Sequence, residues 1–263
     1  MPGLIITATD VVDLSPHYPA PCVVEGHFSC RHLSPPDWPL WGLAAQFAAE
    51  STLRWDATHG DEVIYLAKGQ VRTGGHTCSP EGVVIVEAGV PAVVHVEEPS
   101  ELLHFGSRGQ KPPMDGHFGP SLPGCQVHVV GPGAVFASRT DTEETRIYAD
   151  STCPTCRPTL FYIKRNEEYV SGGHSHSQNE LVHVLDGELH VGRRSIGVGE
   201  TMAIEADFRY AFRAGPQGIT FLNYRNDVSR QSIKRGDEPI LEGGNAAGIP
   251  HVGDEVLIVA RQE

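Results

Sequence analysis

Hydrophobic residues in this chain occur in many short runs that glycines and prolines separate. Valine, isoleucine, phenylalanine and tyrosine dominate these runs, and the chain holds 29 glycines and 20 prolines. Short runs of β-branched and aromatic residues bounded by turn-forming residues are typical of β-strands. Only the segment at 40–51, LWGLAAQFAAES, hints at a helix, and its alanines and glycine leave a strand open. The pattern therefore predicts an all-β sandwich or barrel.

Two pairs of segments in the chain match each other at one separation. EVIYLAKG at 62–69 and ELVHVLDG at 180–187 share their first and last residues and their apolar pattern, and their starts differ by 118 positions (180 less 62). At the same separation, EAGVPA at 87–92 aligns with EADFRY at 205–210. Such similarity is typical of a duplicated unit. The sequence thus predicts two β-lobes in tandem, joined through the turn-rich segment at 106–124.

The expected organisation along the chain has five parts. They are an N-terminal arm (1–45), an N-terminal lobe (46–110), a linker with connecting strands (111–145), a C-terminal lobe (146–228) and a C-terminal tail (229–263). A chain of 263 residues can bury a hydrophobic core without disulfides or a structural metal. We therefore expect any metal ligands to serve function rather than folding.

Charge and composition narrow the classes of partner. Lys and Arg total 20 against 33 Asp and Glu, which gives a net charge of −13, so we expect neither nucleic acid nor an anionic membrane surface as a partner. No apolar run is long enough to cross a bilayer, and the first residues lack the pattern of a secretion signal, which predicts a cytoplasmic protein. The six cysteines are not spaced like a secreted disulfide framework, which predicts reduced thiols.

The segment at 172–187, GGHSHSQNELVHVLDG, carries the strongest chemical pattern. His174 and His176 are two residues apart, so in an extended strand both imidazoles point to the same face. Glu180 begins the next predicted strand on the face of its valines, and its carboxylate joins the imidazoles if that face is the interior. Two imidazoles and one carboxylate can hold Fe(II), and Mn, Ni, Cu or Zn accept the same ligands. The alternative is a solvated histidine-rich turn ahead of a strand.

This segment resembles the first motif of the cupin superfamily, which reads glycine, His-x-His, glutamate and a closing glycine. His174, His176, Glu180 and Gly187 stand at the spacing of that motif. The resemblance implies an all-β fold of two cupin jelly-roll barrels in tandem, a bicupin. It also implies a divalent metal bound by His174, His176 and Glu180, in the C-terminal lobe.

The second cupin motif is altered in this chain. It ordinarily reads glycine, Pro-x-Gly and a final histidine ligand, whereas GETMAIEADFRYAF at 199–212 keeps the first glycine and has Glu205, Asp207 and Tyr210 at the other positions. Strand alternation predicts that Tyr210 points into the barrel, where that histidine would lie. There its phenol would serve as a metal ligand or a catalytic acid or base, or it would pack as a core aromatic residue.

The same frame in the N-terminal lobe lacks the ligands. Asp56 and Thr58 stand at the two histidine positions, Glu62 at the glutamate and Ala92 at the last position. One carboxylate cannot hold a catalytic metal. We therefore expect the N-terminal lobe to be structural.

Other polar residues give weaker signals. His183 lies on the strand face opposite Glu180, which predicts a core or interface histidine. Asn223 and Arg225 share one face of a late strand and could reach a substrate carboxylate, although solvated strand ends are the favoured interpretation. Cys153 and Cys156 have the spacing of a redox dithiol or of half a zinc site, but the βαβ pattern of the first and the two further ligands of the second are missing, so we expect a structural or incidental role. Four histidines have no partner at a ligand spacing and are assigned no chemistry: His95, His104, His117 and His128.

The expected function is that of a metal-dependent enzyme with a small-molecule substrate. The ligand set that the resemblance implies predicts an Fe(II) dioxygenase acting on a small oxygenated metabolite, with Mn, Ni or Zn as other possible metals. A second interpretation is a non-redox lyase, isomerase or hydrolase, with Tyr210 as the catalytic acid or base. A third is a non-catalytic cupin that binds a small ligand as a sensor. Because edge strands pair readily between chains, we expect a homodimer.

Overall fold

The chain folds as an all-β protein, as its hydrophobic pattern predicts. A computed structural model describes residues 3–7, 17–108, 115–116, 119–120, 127–134, 136–150, 157–233 and 240–241. Apart from strands, these residues contain a short 3-10 turn at Pro132–Ala134, and they include no helix long and apolar enough to span a membrane. The predictions for three residues lie outside the described ranges: His117, Cys153 and Cys156.

The strands are numbered β1 to β24 in chain order. The first eleven are β1 (Leu4–Thr7), β2 (Val23–Glu25), β3 (Phe28–His32), β4 (Leu40–Phe47), β5 (Thr52–Trp55), β6 (Glu62–Lys68), β7 (Val71–Thr73), β8 (His76–Cys78), β9 (Val83–Val86), β10 (Ala92–Val96) and β11 (Ser100–Ser107). The next five are β12 (Asp115–Gly116), β13 (Gly119–Pro120), β14 (Val127–Val130), β15 (Phe136–Arg139) and β16 (Glu144–Ala149). The last eight are β17 (Thr159–Arg165), β18 (Ser175–His176), β19 (Glu180–Val191), β20 (Arg194–Gly197), β21 (Thr201–Ile204), β22 (Arg213–Arg225), β23 (Arg230–Ser232) and β24 (Ile240–Leu241).

The N-terminal lobe is built from two antiparallel sheets. Their strand orders are β14-β9-β6-β11-β4-β3 and β2-β5-β10-β7-β8. Side chains from both sheets meet in one apolar core, which includes Phe47, Leu66 and Val94. The segment with a helical hint forms strand β4, next to the edge strand β3 of the six-stranded sheet, and its apolar residues pack on both faces of that sheet.

The C-terminal lobe has one large sheet and one small sheet. The large sheet has the order β1-β21-β19-β22-β17-β16-β15, with β20 paired to β19, and the small sheet has the order β18-β23-β24. Strands β19 and β22 are the longest, with 12 and 13 residues. Their inner faces contribute Val184 and Phe221 to the core of this lobe. The opposite faces pack against the N-terminal lobe in a second apolar layer, where Phe105 stacks on Tyr224 with ring centroids 5.2 Å apart.

Backbone geometry supports the duplication that the sequence predicts. Four residues of the N-terminal lobe with positive φ have a partner 118 positions later that also has positive φ. The pairs are Gly69 and Gly187, Gly74 and Gly192, Glu81 and Gly199, and Gly89 and Asp207. Left-handed residues fix the direction of tight turns. The two lobes therefore keep the same turns even where glycine has been replaced.

The terminal segments of the expected organisation are built into the sheets. Within the arm, β1 pairs with β21 of the C-terminal lobe, whereas β3 and β4 belong to the six-stranded sheet of the N-terminal lobe. The tail contributes β23, which pairs with β18. The arm and the tail thus each contribute a strand to the C-terminal lobe, and β23 of the tail lies beside β18, the strand that carries His176.

Candidate functional site

The two motif histidines lie next to each other inside the C-terminal lobe. His176 is in β18, and His174 forms an isolated antiparallel bridge with Tyr210 through two backbone hydrogen bonds of 2.9 Å. Both imidazoles are buried, with 6% and 5% of their residues' surface exposed, and their ring centroids are 5.0 Å apart. The solvated turn is therefore the wrong interpretation of this segment, and the alternation argument places both rings correctly.

Glu180 is the first residue of β19 and is 1% exposed. Its Oε1 accepts a hydrogen bond of 2.8 Å from the Tyr210 hydroxyl. Its Oε2 accepts hydrogen bonds of 3.0 Å from Asn223 Nδ2 and 3.0 Å from Arg225 Nη2. The same Oε2 lies 3.9 Å from His176 Nε2. The Glu180 carboxylate therefore contacts Tyr210, Asn223 and Arg225 directly and lies near His176.

The environment of Glu180 keeps its carboxylate ionised. Burial by itself would raise the pKa of Glu180, but His176, Arg225 and the hydrogen bonds from the Tyr210 and Asn223 side chains together hold that pKa below its usual value. The charge is balanced by the Arg225 guanidinium, which is itself 1% exposed and lies 5.9 Å from the centre of the Phe161 ring. The site therefore contains a fully buried ion pair.

Hydrogen bonds fix the tautomer of His174. Its Nδ1 lies 2.8 Å from the Gly172 carbonyl oxygen, which can only accept, so Nδ1 donates and carries the proton. The Ser171 hydroxyl lies 3.1 Å from the same nitrogen. Burial lowers the pKa of His174, which favours the neutral ring with a lone pair on Nε2. A backbone carbonyl that orients one nitrogen while the other stays available is typical of metal-binding histidines.

Tyr210 points into the lobe, as strand alternation predicts, but the strand expected around it is a loop. Large-sheet strand β21 ends at Ile204, and β22 begins only at Arg213. Asp207 adopts a φ of 61°, and its amide donates to the His176 carbonyl oxygen at 2.6 Å. This turn brings the Tyr210 ring to 4.5 Å from the His174 ring and 6.2 Å from the His176 ring, between centroids.

Asn223 and Arg225 lie in the site, although their sequence context favours solvated strand ends. That interpretation is wrong for both, because β22 is an inner strand between β17 and β19 and buries them. They face the lobe interior with Phe221, two residues apart each time. Alternation along FLNYR at 221–225 indicates that Phe221, Asn223 and Arg225 share one strand face. The sequence does not show that this face meets Glu180.

The donor atoms suit a divalent metal, although they do not enclose one as they stand. In the part of the chain that the structure describes, no group of three or more His, Cys, Asp or Glu side chains is close enough to hold an ion. Within this site, His176 Nε2 lies 3.9 Å from Glu180 Oε2. Neutral imidazole and carboxylate are ordinary ligands of Fe(II), Mn and Zn. Binding of a metal through Glu180 Oε2 would displace one of the two donors on that oxygen, Asn223 or Arg225.

The N-terminal lobe keeps a glutamate at the matching position, with different partners. Glu62 is buried, accepts a hydrogen bond of 2.8 Å from Trp55 Nε1, and lies 2.8 Å from His104 Nε2. Asp56 and Thr58 form an exposed turn, in which the Thr58 amide donates to Asp56 Oδ1 at 2.7 Å. These two positions take no part in the Glu62 cluster.

His59 lies beside Glu62 in this cluster. Its Nδ1 and Nε2 lie 2.7 and 2.9 Å from the carbonyl oxygens of Gly60 and Val90. His59 Nδ1 also lies 3.7 Å from Glu62 Oε1. Two buried histidines, His59 and His104, therefore flank the Glu62 carboxylate.

Two further buried histidines, His183 and His128, each contact one polar side chain outside the Glu180 cluster. His183 is buried between the lobes, and its Nδ1 lies 2.8 Å from Thr201 Oγ1. Burial, with a smaller contribution from Arg31, lowers the pKa of His183 to about 3. His128 Nε2 lies 2.5 Å from the Glu87 carboxylate. Neither lies in the Glu180 cluster.

Comparison with known proteins supports the fold. No protein-family profile and no curated protein sequence matches the chain. A glyoxylate-induced protein of Pseudomonas aeruginosa superposes with a TM-score of 0.66 over 90% of this chain and 91% of its own, at 13% identity. The oxalate decarboxylase of Bacillus subtilis gives 0.58 over 81% and 75%, at 13% identity. That of Lactobacillus farciminis gives 0.58 over 80% and 84%, at 12% identity.

These similarities define the class of fold. The chain is an all-β protein with two cupin jelly-roll barrels in tandem, as the resemblance of its histidine motif implied. At 12–13% identity the likeness extends to the fold alone. The chemistry of the site has to be argued from its own residues.

Proposed function

We propose that this protein is a metal-dependent bicupin enzyme that acts on a small oxygenated metabolite carrying a carboxylate. The observation that supports this most is the pair of buried imidazoles at the two histidine positions of the motif, beside the buried, ionised carboxylate of Glu180. In the other lobe these two positions hold Asp56 and Thr58. The histidines near Glu62, His59 and His104, stand at other positions of the chain.

His174, His176 and Glu180 are the residues that would hold the metal, with Fe(II), Mn, Ni or Zn as candidates. A divalent metal there would polarise substrate oxygen atoms as a Lewis acid or, as Fe(II), react with dioxygen. The Tyr210 hydroxyl, 2.8 Å from Glu180 Oε1, can donate a proton or return it. Asn223 and Arg225 offer amide and guanidinium donors for a carboxylate group.

Between the two reaction classes, the hydrogen bond from Tyr210 to Glu180 favours non-redox acid and base chemistry. It places a proton donor inside the site, where such chemistry needs one. The likeness to oxalate decarboxylases and to a glyoxylate-induced protein also favours small carboxylates as substrates. The Fe(II) dioxygenase remains the second candidate, because its two-histidine, one-carboxylate ligand set is present in the sequence.

Metal analysis tests the proposal directly. We expect protein purified without added metal or chelator to carry about one divalent metal per chain, measured by plasma mass spectrometry. The substitution His176→Ala should abolish this metal, whereas His95→Ala, on the exposed face of β10, should leave it unchanged. A native protein that carries no metal and takes none up on reconstitution would exclude the proposed function.

Oxygen dependence separates the two classes. Candidate small carboxylates, among them oxalate and glyoxylate, would be supplied to metal-loaded protein in air and under anaerobic conditions. Equal turnover in both supports the non-redox enzyme. Turnover that stops without oxygen, with matching oxygen uptake in air, would instead establish the dioxygenase.

A further inference from the structure

The buried ion pair between Arg225 and Glu180 poses a conflict for metal binding at this site. Arg225 Nη2 and Asn223 Nδ2 each lie 3.0 Å from Glu180 Oε2, and the Tyr210 hydroxyl lies 2.8 Å from Oε1. Oε2 has two lone-pair directions, and these two donors use both of them. His176 Nε2 lies 3.9 Å from the same oxygen. A cation that binds Glu180 through Oε2, the oxygen nearest His176, must therefore compete with Arg225 for that atom.

Burial of both charged groups strengthens the competition between Arg225 and a metal cation for Glu180. Arg225 and Glu180 are each 1% exposed, so water screens neither charge. A carboxylate buried to that degree needs a positive partner at all times, because an uncompensated buried charge is strongly destabilising. A divalent cation and a guanidinium side by side would repel each other. The site therefore favours one cation on Glu180 at a time.

We propose that Arg225 is an exchangeable partner of Glu180. In the metal-free protein, Arg225 neutralises the carboxylate and holds the site together. In the metal-loaded protein, Arg225 leaves Glu180 and offers its guanidinium to the carboxylate of the substrate. This inference rests on the proposed function and assigns the substrate its negative charge.

The N-terminal lobe shows the contrasting arrangement. Strand pairing aligns Val63 with Phe105 and Leu181 with Tyr224, so the residue that corresponds to Arg225 is Gly106. A Cβ atom at Gly106 would lie 2.2 Å from the Trp41 indole, which fills that place. There the histidine beside the glutamate is His59, whose two ring nitrogens lie 2.7 and 2.9 Å from carbonyl oxygens. The C-terminal lobe instead carries Arg225 at the position of Gly106, and its guanidinium contacts Glu180 directly.

The experiment compares metal affinity and stability in the full chain with Arg225→Met. Mn²⁺ and Zn²⁺ serve as probes by titration calorimetry, and thermal unfolding is recorded with chelator and with saturating Mn²⁺. We expect Arg225→Met to bind the metals at least about tenfold more tightly than the parent, because the competing cation is gone. In chelator its Tm should fall below that of the parent, and Mn²⁺ should raise its Tm by more than it raises that of the parent.

A matched control separates this effect from general loss of a buried arginine. Arg146 is buried in β16 and pairs with Glu81 at 2.7 Å, away from the Glu180 cluster. Arg146→Met should lower the Tm without changing metal affinity. If Arg225→Met fails to fold in chelator, Arg225→Gln, which removes the charge and keeps a donor, gives the same comparison.

The outcomes distinguish the two proposals. If the parent binds metal and both Arg225 variants bind it equally or more weakly, the exchange is overturned while the metal-dependent function stands. If the parent and the folded variants all fail to bind Mn²⁺, Zn²⁺ and Fe²⁺, the metal-dependent function is overturned, and the exchange with it. Tighter binding in Arg225→Met or Arg225→Gln, with no change in Arg146→Met, supports the exchange.

Discussion

At the scale of single residues, the site depends on hydrogen bonds that determine which group carries a proton. The Gly172 carbonyl oxygen holds the proton of His174 on Nδ1, and the donors around Glu180 keep its carboxylate charged. Tyr210 is the residue whose role is least fixed by these contacts. Its hydroxyl is either a proton donor or a potential ligand, and a conservative substitution separates the two roles.

Tyr210→Phe retains the ring against His174 and removes the donor to Glu180. We expect the free energy of unfolding in urea to fall by about 1.5–3 kcal/mol, the usual contribution of a hydrogen bond to a charged group. Metal content should stay at the parent level, because we assign the ligands to other side chains. Tyr169→Phe, whose ring packs on Phe212, is the control. Loss of metal in Tyr210→Phe would show that the phenol is a ligand.

His183 makes the stability of the protein depend on pH. Its folded-state pKa of about 3 lies below the value of about 6.5 in an unfolded chain. The stabilisation is therefore complete above pH 6.5 and is lost as the pH falls toward 3, because only the unfolded state takes up the proton. Between pH 7.5 and 5 we expect this residue to cost about 2 kcal/mol.

The measurement is a series of urea unfolding curves between pH 5 and 8. His183→Asn, whose amide can still face Thr201, should show a shallower loss of stability toward pH 5 than the parent. His95→Asn, at an exposed position, should keep the parent slope. Identical slopes for the parent and His183→Asn would mean that His183 does not titrate as described.

At the scale of elements, turns fix the register in which strands bring the site together. Gly187 lies within β19 at the end of the repeated segment and has a φ of 71°. Beside it, the pairing of β19 with β22 shifts register between Val184 and Asp186 and again between Gly187 and Leu189. Asn223 of β22 pairs with Val182 of β19, on the N-terminal side of both shifts. Gly187 therefore lies in the same strand pair that brings Asn223 close to Glu180.

Gly187→Ala should be strongly destabilising. A Cβ atom there would lie 2.3 Å from the Gly218 carbonyl oxygen, and the left-handed φ is unfavourable for alanine. We expect a loss of at least about 2 kcal/mol in the free energy of unfolding, measured by urea denaturation. Gly197→Ala is the matched control, because the nearest atom to its Cβ would be the Glu200 carboxylate at 3.8 Å. Equal effects of the two substitutions would contradict this account of the turn.

At the scale of the whole molecule, the two lobes share one frame but surround their buried glutamates with different partners. Each lobe buries a glutamate at the start of a central strand, Glu62 in one and Glu180 in the other. The partners of Glu62 are a tryptophan and two histidines inside a core of large apolar side chains. We therefore interpret the Glu62 cluster as a stabilising element.

Glu62→Gln tests this interpretation. The substitution removes the carboxylate that Trp55 and His104 contact at 2.8 Å each, so we expect a loss of about 1.5–3 kcal/mol in the free energy of unfolding. The metal content of the folded fraction, measured by plasma mass spectrometry, should not change. Loss of metal together with an intact fold would show that the N-terminal lobe takes part in binding.

The sequence by itself determined the features that short-range geometry controls. Alternation along a strand placed His174 and His176 side by side, since successive side chains point to opposite faces. Tyr210 points inward as expected, but from a loop between β21 and β22 and not from a strand. Short apolar runs and the spacing of 118 positions gave the all-β class and the duplication. These patterns repeat over a few residues, so they can be read without knowledge of the folded chain.

Only the tertiary structure decided which distant residues meet. Tyr210, Asn223 and Arg225 reach Glu180 across 30, 43 and 45 positions of the chain. Glu62 meets His104, a residue to which the sequence assigned no chemistry. Such contacts depend on the order and register in which strands pair, and many registers satisfy the same alternating pattern. Packing of the apolar cores selects one of them, and with it the side chains that face each buried glutamate.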